Sequence, residues 1–233
     1  FNRNNVEEAL KEVYDVVICT APSSEKLLTN LSLKNDDAEI EKLVNVLKNI
    51  QTGHMILVST KSVFDSGARY SAIHQKIYNS VIEAHQNKNT IYIMDTLYGR
   101  TLKKGFINDL LSRQWTYISN DIVLDKPELE KYYQKLNDQL WALVEPLPDE
   151  LLRDLEPISD IYPDEMCYQV TAINDLARYL VANLNRIDGV KLGIDKSEIF
   201  TGRQIKNLLK NPDDSTLGQY FKQQEGDFNL ENL

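Results

Sequence analysis

Cysteine is scarce: of 233 residues only Cys19 and Cys167 are cysteines. Two cysteines cannot make a disulfide framework and supply too few soft ligands for a zinc cluster, so no metal site is expected. The nine glycines stand apart, at positions 53, 67, 99, 105, 189, 193, 202, 218 and 226. That scatter excludes a clustered glycine-rich loop of the kind that cradles a pyrophosphate on a helix N-terminus. Positive charge is also short, with 26 Lys and Arg against 35 Asp and Glu and a net charge of -9. A global basic footprint is therefore missing, and no nucleic-acid partner is expected. No apolar run approaches the roughly 18 residues that cross a bilayer, so no membrane span is expected. A signal-peptide pattern is lacking too, which makes a reducing cytoplasm the expected compartment.

What is there has ordinary globular proportions, 42% hydrophobic and 26% charged residues. Three short, continuous apolar runs stand out: Tyr14–Thr20, His54–Thr60 and Thr90–Asp95. Each suits a strand buried on both faces, the parallel-sheet case. Amphipathic helices separate them. Ile40, Leu43, Val44, Leu47 and Ile50 share one helical face, with Gly53 ending that helix, and Tyr70, Ile73, Ile77 and Val81 share another. The alternation predicts βαβ units with right-handed crossovers. Further on, the spacing predicts helices over 103–112, 125–144, 174–185 and 201–210, the last capped by Thr201, and a strand over 190–194. The 125–144 helix rests on Leu129, Tyr132, Tyr133, Leu136, Leu140 and Val144 at spacings of three to four. From Asn211 the chain is polar, with few apolar anchors, and is expected to be mobile or to order only against a partner.

In an open parallel α/β sheet, ligands bind at the carboxyl ends of the strands. Three loops fall there. Thr20, Ala21 and Pro22 lie in the first, where small residues allow close approach to the backbone or simply make a turn. Ser59, Thr60 and Lys61 open the second; their hydroxyls could bond a substrate oxygen or could satisfy local backbone groups. The third carries Arg100, Lys103 and Lys104, suited to a phosphate or to a solvated basic loop. Tyr70 stands four residues before His74 on one helix. A phenol needs a nearby cation to bring its pKa down towards neutrality, and His74 need not be charged. Chemistry alone therefore favours a surface Tyr–His pair.

Taken in order, the segments Y-D-V-V-I-C-T-A-P-S-S, M-I-L-V-S-T-K-S-V-F-D, the helix opened by Tyr70, I-M-D-T-L-Y-G-R, the Tyr168–Ala177 strand and helix, and K-L-G-I-D-K-S-E-I-F-T-G-R-Q-I resemble the extended or atypical short-chain dehydrogenases/reductases of the NAD-dependent epimerase/dehydratase superfamily. The narrower resemblance is to sugar-nucleotide reductase-like proteins. It spans residues 13 to about 209. It implies an α/β fold: a Rossmann-like parallel sheet flanked by helices, partial or truncated at its N-terminus, with a smaller, mostly helical, substrate-type C-terminal subdomain. The implied division is 1–125, 126–210 and a flexible tail over 211–233.

The resemblance also implies roles. Thr60 takes the place of the hydroxyl that bonds the reacting oxygen, Tyr70 that of the proton-transferring tyrosine, and His74 that of the family's lysine. Thr20, Ala21, Pro22 and Ser59 would face NAD or NADP, and Lys61, Lys103 and Lys104 would face a nucleotide-linked sugar. Three departures accompany it: His74 for Lys, Asp95 where the strand often ends in Arg, and no glycine-rich loop. Two expectations follow from the missing loop. One is that the chain, which begins at Phe1, is the later part of an oxidoreductase or epimerase. The other is that it is a binding protein on a dehydrogenase scaffold that has lost dinucleotide binding. Either way, an exposed sheet edge would need cover from a homodimer or a partner subunit.

Overall fold

The computed structural model describes residues 2, 4–20, 29, 37–65, 67–100, 102, 105–112, 115, 117–138, 140–148, 151 and 164–224. In chain order the strands are β1 (Val13–Cys19), β2 (Gln51–Thr60), β3 (Asn89–Met94), β4 (Thr96–Tyr98), β5 (Tyr117–Ser119), β6 (Tyr133–Lys135), β7 (Leu140–Leu143), β8 (Cys167–Ala172), β9 (Gly189–Leu192) and β10 (Glu198–Thr201). The α-helices are α1 (Asp37–Asn49), α2 (Arg69–Ala84), α3 (Phe106–Ser112), α4 (Asn120–Asp125), α5 (Ile173–Ala182), α6 (Gly202–Lys210) and α7 (Thr216–Gln224). The chain forms two units, one of residues 1–95 with 175–196, the other of residues 96–174 with 197–233.

In the first unit the three apolar runs are strands of one parallel sheet, ordered β1-β2-β3-β9. Met55, Ile56, Leu57, Ile91, Tyr92 and Ile93 are at most 2% exposed, as a sheet covered on both faces requires. Ile40, Val44 and Leu47 of α1 and Ile77 and Val81 of α2 join Met55, Leu57, Ile91 and Ile93 in one core. Each such side chain contributes about 1.5–3 kcal/mol by leaving water. Gly53 lies within β2 rather than ending α1: a Cβ there would stand 2.9 Å from the Asp15 carbonyl oxygen of the neighbouring strand. Among the described residues β1 is an outer strand, paired only with β2.

A polar tie fastens the amino ends of β2, β3 and β9. His54 is buried; its Nδ1–H donates to the Leu184 carbonyl at 2.6 Å, and its Nε2 meets the Thr90 hydroxyl at 2.9 Å. Thr90 also donates to the Arg186 carbonyl at 3.1 Å and accepts the Asp188 N–H at 3.0 Å. One imidazole and one hydroxyl thus satisfy the loop that leads into β9.

The second unit holds two three-stranded sheets, β10-β8-β4 and the antiparallel β5-β7-β6. Ile118, Leu129, Ile205, Leu217 and Phe221 are fully buried in its core. The expected helix over 125–144 is replaced by the end of α4, a 3-10 turn at Pro127–Lys131 and the strands β6 and β7. Pro127 starts that turn, and Tyr133 is buried with its hydroxyl donating to the Trp115 carbonyl at 2.8 Å. Gly99 has no room for a side chain, because a Cβ would sit 2.6 Å from Ile173 Cγ2. The Thr201 cap is found as expected, in a capping box with Gln204.

The division differs from the sequence-based one. Residues 96–125 belong to the second unit, and 175–196 return to the first because β9 completes the parallel sheet. The expected mobile tail contains α7, whose Leu217 and Phe221 are anchors four residues apart on one helical face. Residues 225–233 lie outside the described part.

Candidate functional site

Parallel pairing aligns the strand ends. Thr60 pairs with Met94, and Cys19 pairs with Leu57, so the carboxyl ends of β1, β2 and β3 share one margin of the sheet. Thr60 ends β2 and caps the 3-10 turn Lys61–Phe64, its Oγ1 accepting the Ser62 N–H at 3.4 Å. That bond fixes the direction of the hydroxyl. Thr60 also hydrogen-bonds the phenol of Tyr70. Ten residues apart in sequence, the two hydroxyls meet because the turn brings α2 back over the end of β2.

Tyr70 and His74 are 6% and 5% exposed. Their ring centroids are 4.4 Å apart at 47°. The expected surface pair is therefore a buried one. The stripe that turns Tyr70, Ile77 and Val81 inward also turns His74 inward, since residues four apart lie on one face. Burial lowers the His74 pKa to about 4, which leaves a neutral imidazole at pH 7. Burial raises the Tyr70 pKa, with the Thr60 hydrogen bond acting against that rise. His74 Nε2 is buried with no hydrogen-bond partner in the structure. An orphaned polar atom at this depth costs free energy unless something fills its bond, about 1–3 kcal/mol.

The structure thus brings Thr60, Tyr70 and His74 together, with Ser59 buried one residue before Thr60 and Thr20 exposed after β1. Lys61 is exposed and pairs with Asp95 at 3.8 Å, a weak contact in solvent. Lys76 bonds Glu41 on α1 and so points away from the Tyr70 phenol's role. Ala21, Pro22, Lys103 and Lys104 lie outside the described residues. Ser62 was not anticipated as the residue that orients Thr60; its signal is the hydroxyl-rich run S-T-K-S at a strand end. Within the second unit, a cleft of about 310 Å³ is lined by Tyr98, Arg100, Asn174, Tyr220 and Gln223 among others; it holds Arg100 of the third loop and none of Thr60, Tyr70 and His74. Among the described residues no group of His, Cys, Asp and Glu could hold a metal ion, and no helix is long and apolar enough to cross a membrane.

The fold is an α/β arrangement with a Rossmann-like parallel sheet, and solved structures of similar shape include an epimerase and a reductase. UDP-glucuronic acid 4-epimerase from Bacillus cereus, in complex with UDP-glucuronic acid and NAD, is 17% identical with a TM-score of 0.53, over 90% of this chain and 63% of that one. WbmH from Bordetella bronchiseptica, in complex with NAD+, is 9% identical with a TM-score of 0.53, over 89% of this chain and 61% of that one. dTDP-4-dehydrorhamnose reductase from Yersinia enterocolitica is 12% identical with a TM-score of 0.53, over 91% and 68% respectively. At these identities the likeness is one of fold. The chain spans about three fifths of the length of the first two. No protein-family model matches the sequence, and no curated protein matches it.

Proposed function

We propose that this chain carries the proton-transfer site of an oxidoreductase or epimerase that acts on a nucleotide-linked sugar with NAD or NADP. One observation carries the reading: Thr60, Tyr70 and His74 converge at the carboxyl end of a parallel strand, Tyr70 and His74 buried and Thr60 half-buried, with a hydroxyl bonded to the phenol and an imidazole nitrogen left unbonded. In this reading Thr60 hydrogen-bonds the reacting oxygen of the sugar, Tyr70 exchanges the proton with it, and His74 orients the cluster.

The residues fit one end of a nicotinamide dinucleotide. The orphaned His74 Nε2 offers a bond to a ribose hydroxyl, and Ser59 and Thr20 stand at the same sheet margin. When bound, the dinucleotide exchanges a hydride with the sugar carbon. A pyrophosphate cradle is a different matter: the chain's glycines are isolated, so backbone from outside these 233 residues is the expected source of that half. Lys61 is assigned to the phosphates of the substrate, the role the resemblance also gives Lys103 and Lys104. A homodimer or partner subunit is the proposed cover for the outer edge of β1, and the cytoplasm the proposed compartment; Cys19 and Cys167 form no disulfide.

The second reading, a binding protein without redox chemistry, is favoured by the same two departures, His74 in place of a lysine and the isolated glycines. Turnover separates the two. A panel of nucleotide-linked keto sugars with NADH or NADPH, followed by nicotinamide absorbance, is expected to show sugar-dependent oxidation. Tyr70→Phe is expected to lower it by about 10²–10⁴-fold. Full turnover in Tyr70→Phe contradicts the first reading. Calorimetric binding of a nucleotide sugar with no turnover supports the second.

A further inference from the structure

We propose that the cleft of the second unit binds a small organic anion built on a flat aromatic ring, with Arg100 taking the anionic group and Tyr220 the ring. The cleft shares no residue with the Thr60–Tyr70–His74 cluster, and the inference does not depend on the oxidoreductase reading.

The wall that carries Tyr220 is built into the fold. Helix α7 is held at its amino end: Asp213 Oδ1 accepts the Ser215 N–H at 2.9 Å, Ser215 Oγ accepts the Gly218 N–H at 3.0 Å, and the Glu198 carboxylate accepts the Thr216 and Leu217 N–H groups, each at 3.2 Å. These bonds satisfy donors that a first helical turn leaves open. Leu217 and Phe221 anchor the helix in the core. Tyr220 then packs on Tyr98, with ring centroids 5.0 Å apart at 56°. Gln223 follows Tyr220 by three residues and lies on the same side of α7. Gly99, just past β4, has no room for a side chain against Ile173; that close approach brings Arg100 and Asn174 to one cleft.

The lining selects by charge. Arg100 is its one ionic side chain, and no Asp or Glu joins it among the described residues, in a chain whose net charge is -9. Lys61, Arg69 and Lys76 pair with Asp95, Asp37 and Glu41. Arg100 is exposed and holds no ion pair among the described residues. Asp175, next in the chain after Asn174, is engaged by Lys196 at 3.5 Å and Arg178 at 3.9 Å. Burial raises the Tyr220 pKa and the Arg100 charge lowers it, so cation and ring are neighbours. A guanidinium meets a phosphate or carboxylate through paired N–H bonds, and a tyrosine ring stacks on a flat heterocycle. Asn174 and Gln223 each bring a donor and an acceptor, the set that reads a heterocycle's edge. At about 310 Å³ the cleft is at the small end of the range for small-molecule sites, which suits one ring system with one charged group. Two sources share that chemistry, a nucleoside monophosphate and an aromatic carboxylate.

Calorimetric titration of the full chain separates them. Adenosine monophosphate and uridine monophosphate form one arm, 4-hydroxybenzoate the other. At least one is expected to bind with a Kd of about 1 mM or below. Adenosine, inorganic phosphate and glucose 1-phosphate, which lack the charge, the ring or its flatness, are each expected to bind about tenfold more weakly or worse. Arg100→Gln should weaken the ring anion about tenfold or more, and Tyr220→Leu about fivefold or more. Tyr70→Phe should leave its affinity unchanged. No heat from any of the three at about 10 mM overturns the inference. So does inorganic phosphate or glucose 1-phosphate binding as tightly as the ring anion, or an affinity that Tyr70→Phe lowers and Arg100→Gln does not. Should Tyr220→Leu fail to fold, the exposed Arg100→Gln decides alone.

Discussion

The two ends of the parallel sheet use the same residue type in opposite ways. At the amino end, His54 is 4% exposed and both its ring nitrogens are bonded, to the Leu184 carbonyl and the Thr90 hydroxyl. At the carboxyl end, His74 is 5% exposed and its Nε2 is bonded to nothing in the structure. Burial is equal, so burial does not separate a structural histidine from an available one. Hydrogen-bond satisfaction does. His54 completes a loop's backbone; His74 leaves a bond for a partner to fill, beside a phenol and a fixed hydroxyl.

That contrast can be broken experimentally. The largest effect belongs to the carboxyl end: Tyr70→Phe should cost about 10²–10⁴ in turnover, equivalent to about 3–5 kcal/mol in the barrier, with little loss of stability. A protein that unfolds in Tyr70→Phe but keeps its specific activity would reverse the roles of the two ends. Next is acid sensitivity. His74 has a folded pKa of about 4 against an ordinary 6.5. The unfolded chain therefore binds the extra proton between those values. Stability is full above pH 6.5 and falls as pH drops towards 4, by on the order of 3 kcal/mol. Urea unfolding of His74→Gln should lack that part of the pH dependence.

At the amino end the effect is on stability alone. His54→Ala strands the Leu184 carbonyl and takes one partner from the Thr90 hydroxyl, which keeps its bonds to Arg186 and Asp188; it should lower stability by about 1–3 kcal/mol without changing turnover by more than about twofold. Unfolding curves and kinetics on one preparation check both halves of that statement. The smallest expected effect is at Thr60. Thr60→Val removes the bond to Tyr70 and the Ser62 cap, costing about 1 kcal/mol of stability, and it should reduce turnover while Thr90→Val does not.

The sheet was readable because each strand is an apolar run bounded by polar residues, and a strand buried on both faces needs nothing subtler. The site was readable in spacing, from Thr60 through Tyr70 to His74, but its burial was misjudged. Tyr70, Ile77 and Val81 define an inward stripe, and His74 lies on that stripe; chemistry drew attention to its polarity when periodicity was the better guide. The second unit was harder for a physical reason. β6 and β7 are three and four residues long, too short for alternation to be told from a 3.6-residue period. Leu129 and Tyr133 fit both patterns, and only the partner strand decides. The helix over 216–224 is hard to see in the sequence because its anchors, Leu217 and Phe221, are few; four residues apart, they suffice to hold about two and a half turns of helix against a core.

The account turns on His74 being the histidine that meets a ligand. The chain has three histidines, at 54, 74 and 85, and the third donates from its Nε2–H to the Leu47 carbonyl at 2.7 Å. Proton–nitrogen spectra of the three imidazoles, recorded while nicotinamide mononucleotide and then a nucleotide-linked sugar are added, read all of them at once. The mononucleotide needs no pyrophosphate cradle, so it probes this end of the site by itself. The expected result is a shift of the His74 nitrogen signals, with those of His54 and His85 unmoved. Unchanged His74 signals at saturation with nicotinamide mononucleotide would contradict the account.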